Sequence, residues 1–142
     1  MPIQMKINKD LIISDTNYTL GDITKDKRYS TKETFTGKYW INGKPIYRKT
    51  FEFFNVNIKI TDYNWTKHLN LSNISYITVD ETHSYFVITG QRYPINYSQP
   101  QYNSGASYRL NVTNSDVDFI FYKTNNFSVT DIVLTVEYVK NN

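Results

Sequence analysis

The sequence predicts an all-β fold: an antiparallel β-sandwich, jelly-roll-like, behind an extended N-terminal arm. Three observations predict it. Helix formers are thin, with alanine present once, at Ala106, while aromatic residues make up 16% of the chain, including 13 Tyr and 8 Phe. Aromatic and β-branched side chains suit a pleated, half-buried surface. Apolar residues alternate with period two in several segments, and no stretch carries a convincing 3.6-residue period. Short runs end in Asn/Gly/Ser/Asp turns every eight to twelve or so residues, the rhythm of a sandwich.

A chain of 142 residues fits one domain, and a fold of that size buries roughly 70% of its unfolded surface. Residues 1–28 are expected to form an arm or docking segment, and residues 29–142 the sandwich. Within the arm, Ile7, Leu11 and Ile13 suggest one strand, residues 16–22 a turn, and residues 24–28 a solvated charged linker. A hairpin follows, with strands from about Phe35 to Ile41 and Lys44 to Phe54. Its Asn42-Gly43 pair, between apolar and aromatic runs, signals a type I′ turn with positive φ at both residues. Val56, Ile58 and Ile60 alternate as a strand. Residues 74–79 and 84–89 flank Asp80-Glu81-Thr82-His83, which reads as a second hairpin loop. Tyr108, Leu110 and Val112 alternate, residues 117–122 form a denser run buried on both faces, and Ile132, Leu134, Val136 and Tyr138 share one face of a terminal strand. A single helical turn is allowed near residues 64–69 or 128–131.

Net charge is +3, with 16 basic and 13 acidic residues distributed along the chain. This balance does not point to a nucleic-acid partner. The absence of cysteine removes disulfides, thiolate nucleophiles and the usual structural zinc sites. No apolar run reaches the ~20 residues of a membrane helix, and no signal-peptide pattern opens the chain, so neither membrane insertion nor signal-directed secretion is expected.

Catalytic signatures are missing. The chain has no nucleophile elbow, phosphate-cradling glycine loop or zinc-protease helix motif. Of the two histidines, only His83 neighbours acids in sequence, Asp80 and Glu81, and loop-tip polarity accounts for that group. Asp116 and Asp118 share a strand face, a pattern found in carboxylate metal sites and some glycosidases, but a solvated strand start explains them equally. The reading is therefore no enzyme, no cofactor and no metal. Lys44, Arg48 and Lys49 beside Tyr47 and Phe51 are read as a solvated face or a salt-linked subunit contact, since Arg48 and Phe51 have opposite parity.

Binding chemistry concentrates in residues 93–105, rich in tyrosine, amide and proline. Tyrosine offers a rigid face and a hydroxyl at low entropy cost, and amides offer paired donors and acceptors. Tyr93, Asn96, Tyr97, Gln99, Gln101, Tyr102 and Asn103 are the candidate glycan-binding residues. The alternative for this loop is a connection whose tyrosines pack back onto the domain.

Four segments carry a family resemblance. Tyr29-Ser30-Thr31-Lys32-Glu33, followed by Gly37-Lys38-Tyr39-Trp40-Ile41-Asn42-Gly43-Lys44-Pro45-Ile46-Tyr47-Arg48-Lys49-Thr50, resembles a module of bacteriophage tail, baseplate and head-fibre proteins. That module reads Tyr-Ser-Thr-Glu-Glu, then Gly-x-Trp-Ile-Asp-Gly-Lys-Pro-Ile-Tyr-Arg-Lys-Thr. Residues 90–97 are similar to its Asn-Gly-x-Trp-Tyr-Pro-Leu-Pro-Tyr region, and residues 133–140 to its closing strand. This chain differs in carrying Asn42 for Asp, no tryptophan before Tyr93, and Asn96 at the second proline. The resemblance implies a virion protein at the exposed end of an appendage, often a homotrimer, with an upstream anchor and host surface glycans as a ligand class. The short stretch before the module suggests a head-decorating fibre or accessory tail protein. Tyr39, Trp40 and Tyr47 are then the candidate assembly residues, with Tyr39 and Trp40 anchoring the hairpin in the core or at a subunit contact. The rival expectation is a stand-alone carbohydrate-binding module; a glycan-cleaving depolymerase would need Asp116 and Asp118 in a cleft.

Overall fold

A computed structural model describes residues 29–141, together with the backbone of β1 (Ile12–Ile13) and β2 (Tyr18–Thr19), which pair antiparallel. The remaining expectations for residues 1–28 lie outside the described residues. Two larger antiparallel sheets build the sandwich. One contains β3 (Thr34–Tyr39), β4 (Pro45–Phe53), β12 (Asp131–Lys140), β7 (Tyr85–Ile88) and β8 (Gln91–Pro94) in that order, with β6 (Ile74–Val79) also on β12. The other runs β5 (Asn64–His68), β11 (Val117–Lys123), β10 (Ser104–Val112) and β9 (Ser98–Gln99). The chain crosses between the sheets at four connections, β4 to β5, β5 to β6, β8 to β9 and β11 to β12. Phe86 of the first sheet meets Phe121 of the second edge-to-face at 5.3 Å, so the sheets share one apolar core.

The 35–54 hairpin forms, but its turn differs from the expected type I′. Gly43 N–H donates to Trp40 O at 2.9 Å and Trp40 N–H to Lys44 O at 2.8 Å. Of Ile41, Asn42 and Gly43 only Gly43, at φ +81°, adopts positive φ. This is a three-residue loop, a type I turn closed by a left-handed glycine bulge. Asn42 contributes through its side chain, whose Oδ1 accepts from Lys44 N–H at 3.0 Å. A second bulge sits in β3: the register moves between Phe35↔Tyr47 and Tyr39↔Pro45, across Gly37, which has φ +81°.

Four other expectations are corrected. Asp80–His83 is not a hairpin loop: β6 and β7 run in the same direction along one edge of β12, with Val79 opposite Val136 and Tyr85 opposite Val133. Residues 81–83 form a 3₁₀ turn that bulges out of an otherwise continuous edge. Val56 to Ile60 is not a strand, because Asn55 and Asn57 take positive φ and only Ile58 bridges, to Val129. Residues 64–68 are strand, not helix, and the helical turns fall at residues 81–83 and 100–102. Finally, β11 alternates buried and half-buried residues, whereas β12 is the strand buried on both faces.

Burial of β12 requires internal partners for its polar groups. Thr135 is 1% exposed and Ser84 2%. Thr135 N–H donates to Ser84 Oγ at 2.9 Å, Asp80 N–H donates to Thr135 O at 2.8 Å, and Ser84 Oγ–H donates to Asp80 O at 2.7 Å. Thr135 Oγ1 also shares a 2.9 Å bond with Thr50 Oγ1 and reaches His83 O at 3.1 Å. The Ser84 hydroxyl thus stands in where the bulge lifts the neighbouring main chain away. Ser84→Ala leaves the Thr135 N–H buried without an acceptor and is expected to destabilise the fold by about 1–3 kcal/mol. Urea denaturation of the variant against the parent chain measures it.

Candidate functional site

The 93–105 segment divides into two sets of residues. Tyr93 stacks on Phe86 at 5.7 Å and Tyr97 meets Phe86 edge-on at 6.1 Å, so both rings pack back against the core. Ile95 between them is fully buried. Asn96, Gln99, Gln101, Tyr102 and Asn103 are exposed, Tyr102 by 67%. Pro94 ends the edge strand β8, where a missing N–H is tolerated, and Pro100 opens the 3₁₀ turn, where its fixed φ fits. Asn103 closes that turn in the left-handed region at φ 50°.

A shallow groove of about 270 Å³ lies beside this segment, lined by Tyr97, Ser98, Ala106, Tyr122, Lys123 and Thr124, among others. Gly105 makes the close approach of strands possible there, since a Cβ would stand 3.2 Å from Tyr97 O. The Tyr97 hydroxyl donates to Gln99 Oε1 at 2.6 Å, which fixes the ring at the groove wall. The Lys123 ammonium is buried, held by Ile60 O at 3.3 Å and Thr124 O at 3.1 Å, over the Phe127 ring at 5.2 Å. Burial pushes its pKa down, with Asp62 opposing. One wall of the groove therefore carries a half-exposed tyrosine, and the amides of the 99–103 turn stand nearby in sequence and in strand order.

Three clusters unite residues distant in sequence. Glu81 accepts from Asn96 Nδ2 at 2.9 Å and from the Tyr108 hydroxyl, tying the 3₁₀ turn of one sheet to β10 of the other. Desolvation, followed by that hydrogen bond and the Glu81 charge, pushes Tyr108 up to about 12. Around the other side of the same turn, Tyr29 stacks on His83 at 4.0 Å and under the Arg48 guanidinium at 4.7 Å. His83 Nδ1 lies 2.9 Å from Asp80 Oδ2. Arg48 pairs with Glu137 across β4 and β12 at 2.8 Å.

The third cluster joins His68 to Asp116 and Asp118. The β5–β11 register places His68 opposite Asp118. His68 Nδ1 hydrogen-bonds Asp118 Oδ1 and lies 3.6 Å from Asp116 Oδ2. One donor atom from each of the three residues lies within 4.8 Å of the others. The sequence shows the shared parity of the two aspartates but not His68, because nothing local reveals which strand pairs with β11.

The hairpin tip projects. Ile41 is 94% exposed and Tyr39 55%, so Tyr39 does not anchor the hairpin in the core. Trp40 is half-buried against Tyr76 of β6, stacked at 4.2 Å. Tyr47 packs between Phe35 and Tyr138 beneath the Lys140 ammonium, and is therefore a packing residue of the sheet. Among the described residues no helix is long and apolar enough to cross a membrane.

No family model, curated protein or solved structure matches the chain.

The raised Tyr108 pKa has a stability consequence with a definite sign. A tyrosine that ionises less readily folded than unfolded contributes fully below its unfolded pKa, about 10. That contribution is lost as pH rises through about 12. Stability is expected to fall across this window, and Tyr108→Phe to flatten the fall; denaturation midpoints at pH 9 and pH 11 for both proteins check it.

Proposed function

We propose that the chain is a non-enzymatic bacteriophage virion protein, a β-sandwich projecting from head or tail as a homo-oligomer. The observation that carries this reading is the 34–53 hairpin. It bears the most specific part of the resemblance, and its tip presents Ile41, 94% exposed, and Tyr39, 55% exposed, to water. Side chains this apolar at a loop tip, next to a stacked Trp40–Tyr76 pair, suit contact with another subunit better than solvent. A trimer is the oligomer that the resemblance implies. Residues 1–28 are assigned to docking on capsid or tail proteins, which makes the virion the site of action.

Purified particles test the first part: the protein is expected in their mass spectrum and as a labelled projection in electron micrographs, and its absence from virions refutes the reading. Deleting residues 1–28 is expected to abolish attachment while leaving the circular dichroism of the sandwich unchanged. Native mass spectrometry of an Ile41→Lys variant tests the second part. Dissociation to monomer is expected, with a tenfold or larger rise in dissociation constant, equivalent to about 1.4 kcal/mol or more.

A second reading is a stand-alone carbohydrate-binding module. The groove beside Tyr97, with the exposed Asn96, Gln99, Gln101, Tyr102 and Asn103, favours sugar recognition in either case, because ring faces stack on sugar C–H surfaces while amides meet hydroxyls. Tyr102→Ala and Gln101→Ala are expected to weaken binding on a glycan array without altering assembly. Glycan binding by a protein missing from virions selects this second reading.

A further inference from the structure

Among the described residues β5 forms the edge of the smaller sheet, paired with β11 alone. His68 of β5 and Asp118 of β11 face each other in register, and Asp116 lies on the same face one strand-period away. Two carboxylates thus converge on one imidazole. Among the described residues neither carboxylate has a Lys or Arg partner. An ordinary histidine–carboxylate ion pair needs one acid. Here a second carboxylate shares the same imidazole, with no Lys or Arg ion pair of its own among the described residues. The positions of the donors are set from behind. Asp116 Oδ1 accepts from Val117 N–H at 2.7 Å and Leu71 N–H at 3.2 Å, which leaves Oδ2 directed towards the imidazole. Leu69, next to His68, is 1% exposed, and its N–H donates to Val117 O at 2.9 Å. The main chain on both sides of the cluster is therefore held by the core, while the His68 side chain remains 71% exposed.

We propose that His68, Asp116 and Asp118 form a binding site for a divalent first-row transition cation, with zinc as the fitting probe. Donors bound to one such ion at about 2.1 Å stand roughly 3–3.5 Å apart. The donor atoms here all lie within 4.8 Å of one another, near that spacing. A dication neutralises both carboxylates, and the imidazole nitrogen selects zinc, nickel or cobalt over calcium and magnesium, which take oxygen sets. The remaining coordination positions face solvent on the His68 side. Bound metal joins the edge strand to its neighbour by side chains as well as by backbone hydrogen bonds, so its role is to lock the sheet edge. The site does not depend on the virion reading.

Calorimetric titration of zinc chloride into the full chain tests it, with thermal unfolding as the second readout. One equivalent per chain is expected to bind, with a rise in Tm that calcium does not reproduce. His68→Gln and Asp118→Asn alter exposed or half-exposed side chains and are expected to weaken binding by about tenfold or more each, with unchanged circular dichroism. His83→Gln, which removes the other histidine, is expected to leave binding unchanged. Failure of the parent chain to bind zinc overturns the proposal. So does binding that survives either ligand substitution, or binding lost in the His83 variant.

Discussion

Every strand of the larger sheet hydrogen-bonds to β12 directly or through one neighbour, and β12 itself buries side chains on both of its faces. Ile132, Leu134, Val136 and Tyr138 are wholly buried in the shared core. The opposite row, Val133, Thr135 and Val139, is buried as well, at 8% exposure or less. A strand in that position has no water to satisfy its polar atoms, so each must find a partner inside the protein. The Thr50–Thr135–Ser84 hydroxyl set meets that requirement where the 80–84 bulge interrupts the backbone ladder.

The bulge consequently does two things at once. By leaving the ladder it raises Asp80, Glu81 and His83 above the sheet, where they meet Tyr29, Asn96 and Tyr108 from three separate segments. Glu81 joins the two sheets, and the Tyr29–His83 stack begins the described part of the domain at its first residue. A constraint on backbone pairing in the core thereby organises a polar surface several residues away. The aromatic excess of the sequence serves the same frame: Phe86 alone meets Tyr93, Tyr97, Phe121 and Phe127, and such contacts add stabilisation beyond area, about 0.5–1.5 kcal/mol each.

This packing also limits what the tyrosine-rich segment offers a ligand. Tyr93 and Tyr97 pack against the core, leaving Tyr102 and the flanking amides as the exposed side chains of the segment. The apolar hairpin tip is different, since nothing among the described residues covers Ile41. Aromatic packing therefore lies at the centre of the molecule, and the exposed apolar and amide side chains lie at the hairpin tip and the 99–103 turn.

Local chemistry in the chain made the all-β class, the 35–54 hairpin, and strands β6, β10, β11 and β12 legible, because alternation and turn residues act over neighbours in sequence. The same local signals misled at Val56–Ile60, where asparagines take positive φ and break a pattern that alternates on paper. They misled again at Asp80–His83, because a polar tetrapeptide looks alike whether the chain reverses or merely bulges. The sequence shows that Asp116 and Asp118 share a face; His68 joins them only through the β5–β11 pairing. Glu81, Asn96 and Tyr108 likewise meet only when two sheets close on one another. Pairing of remote strands depends on the summed burial of both partners, and no window of neighbouring residues carries that sum.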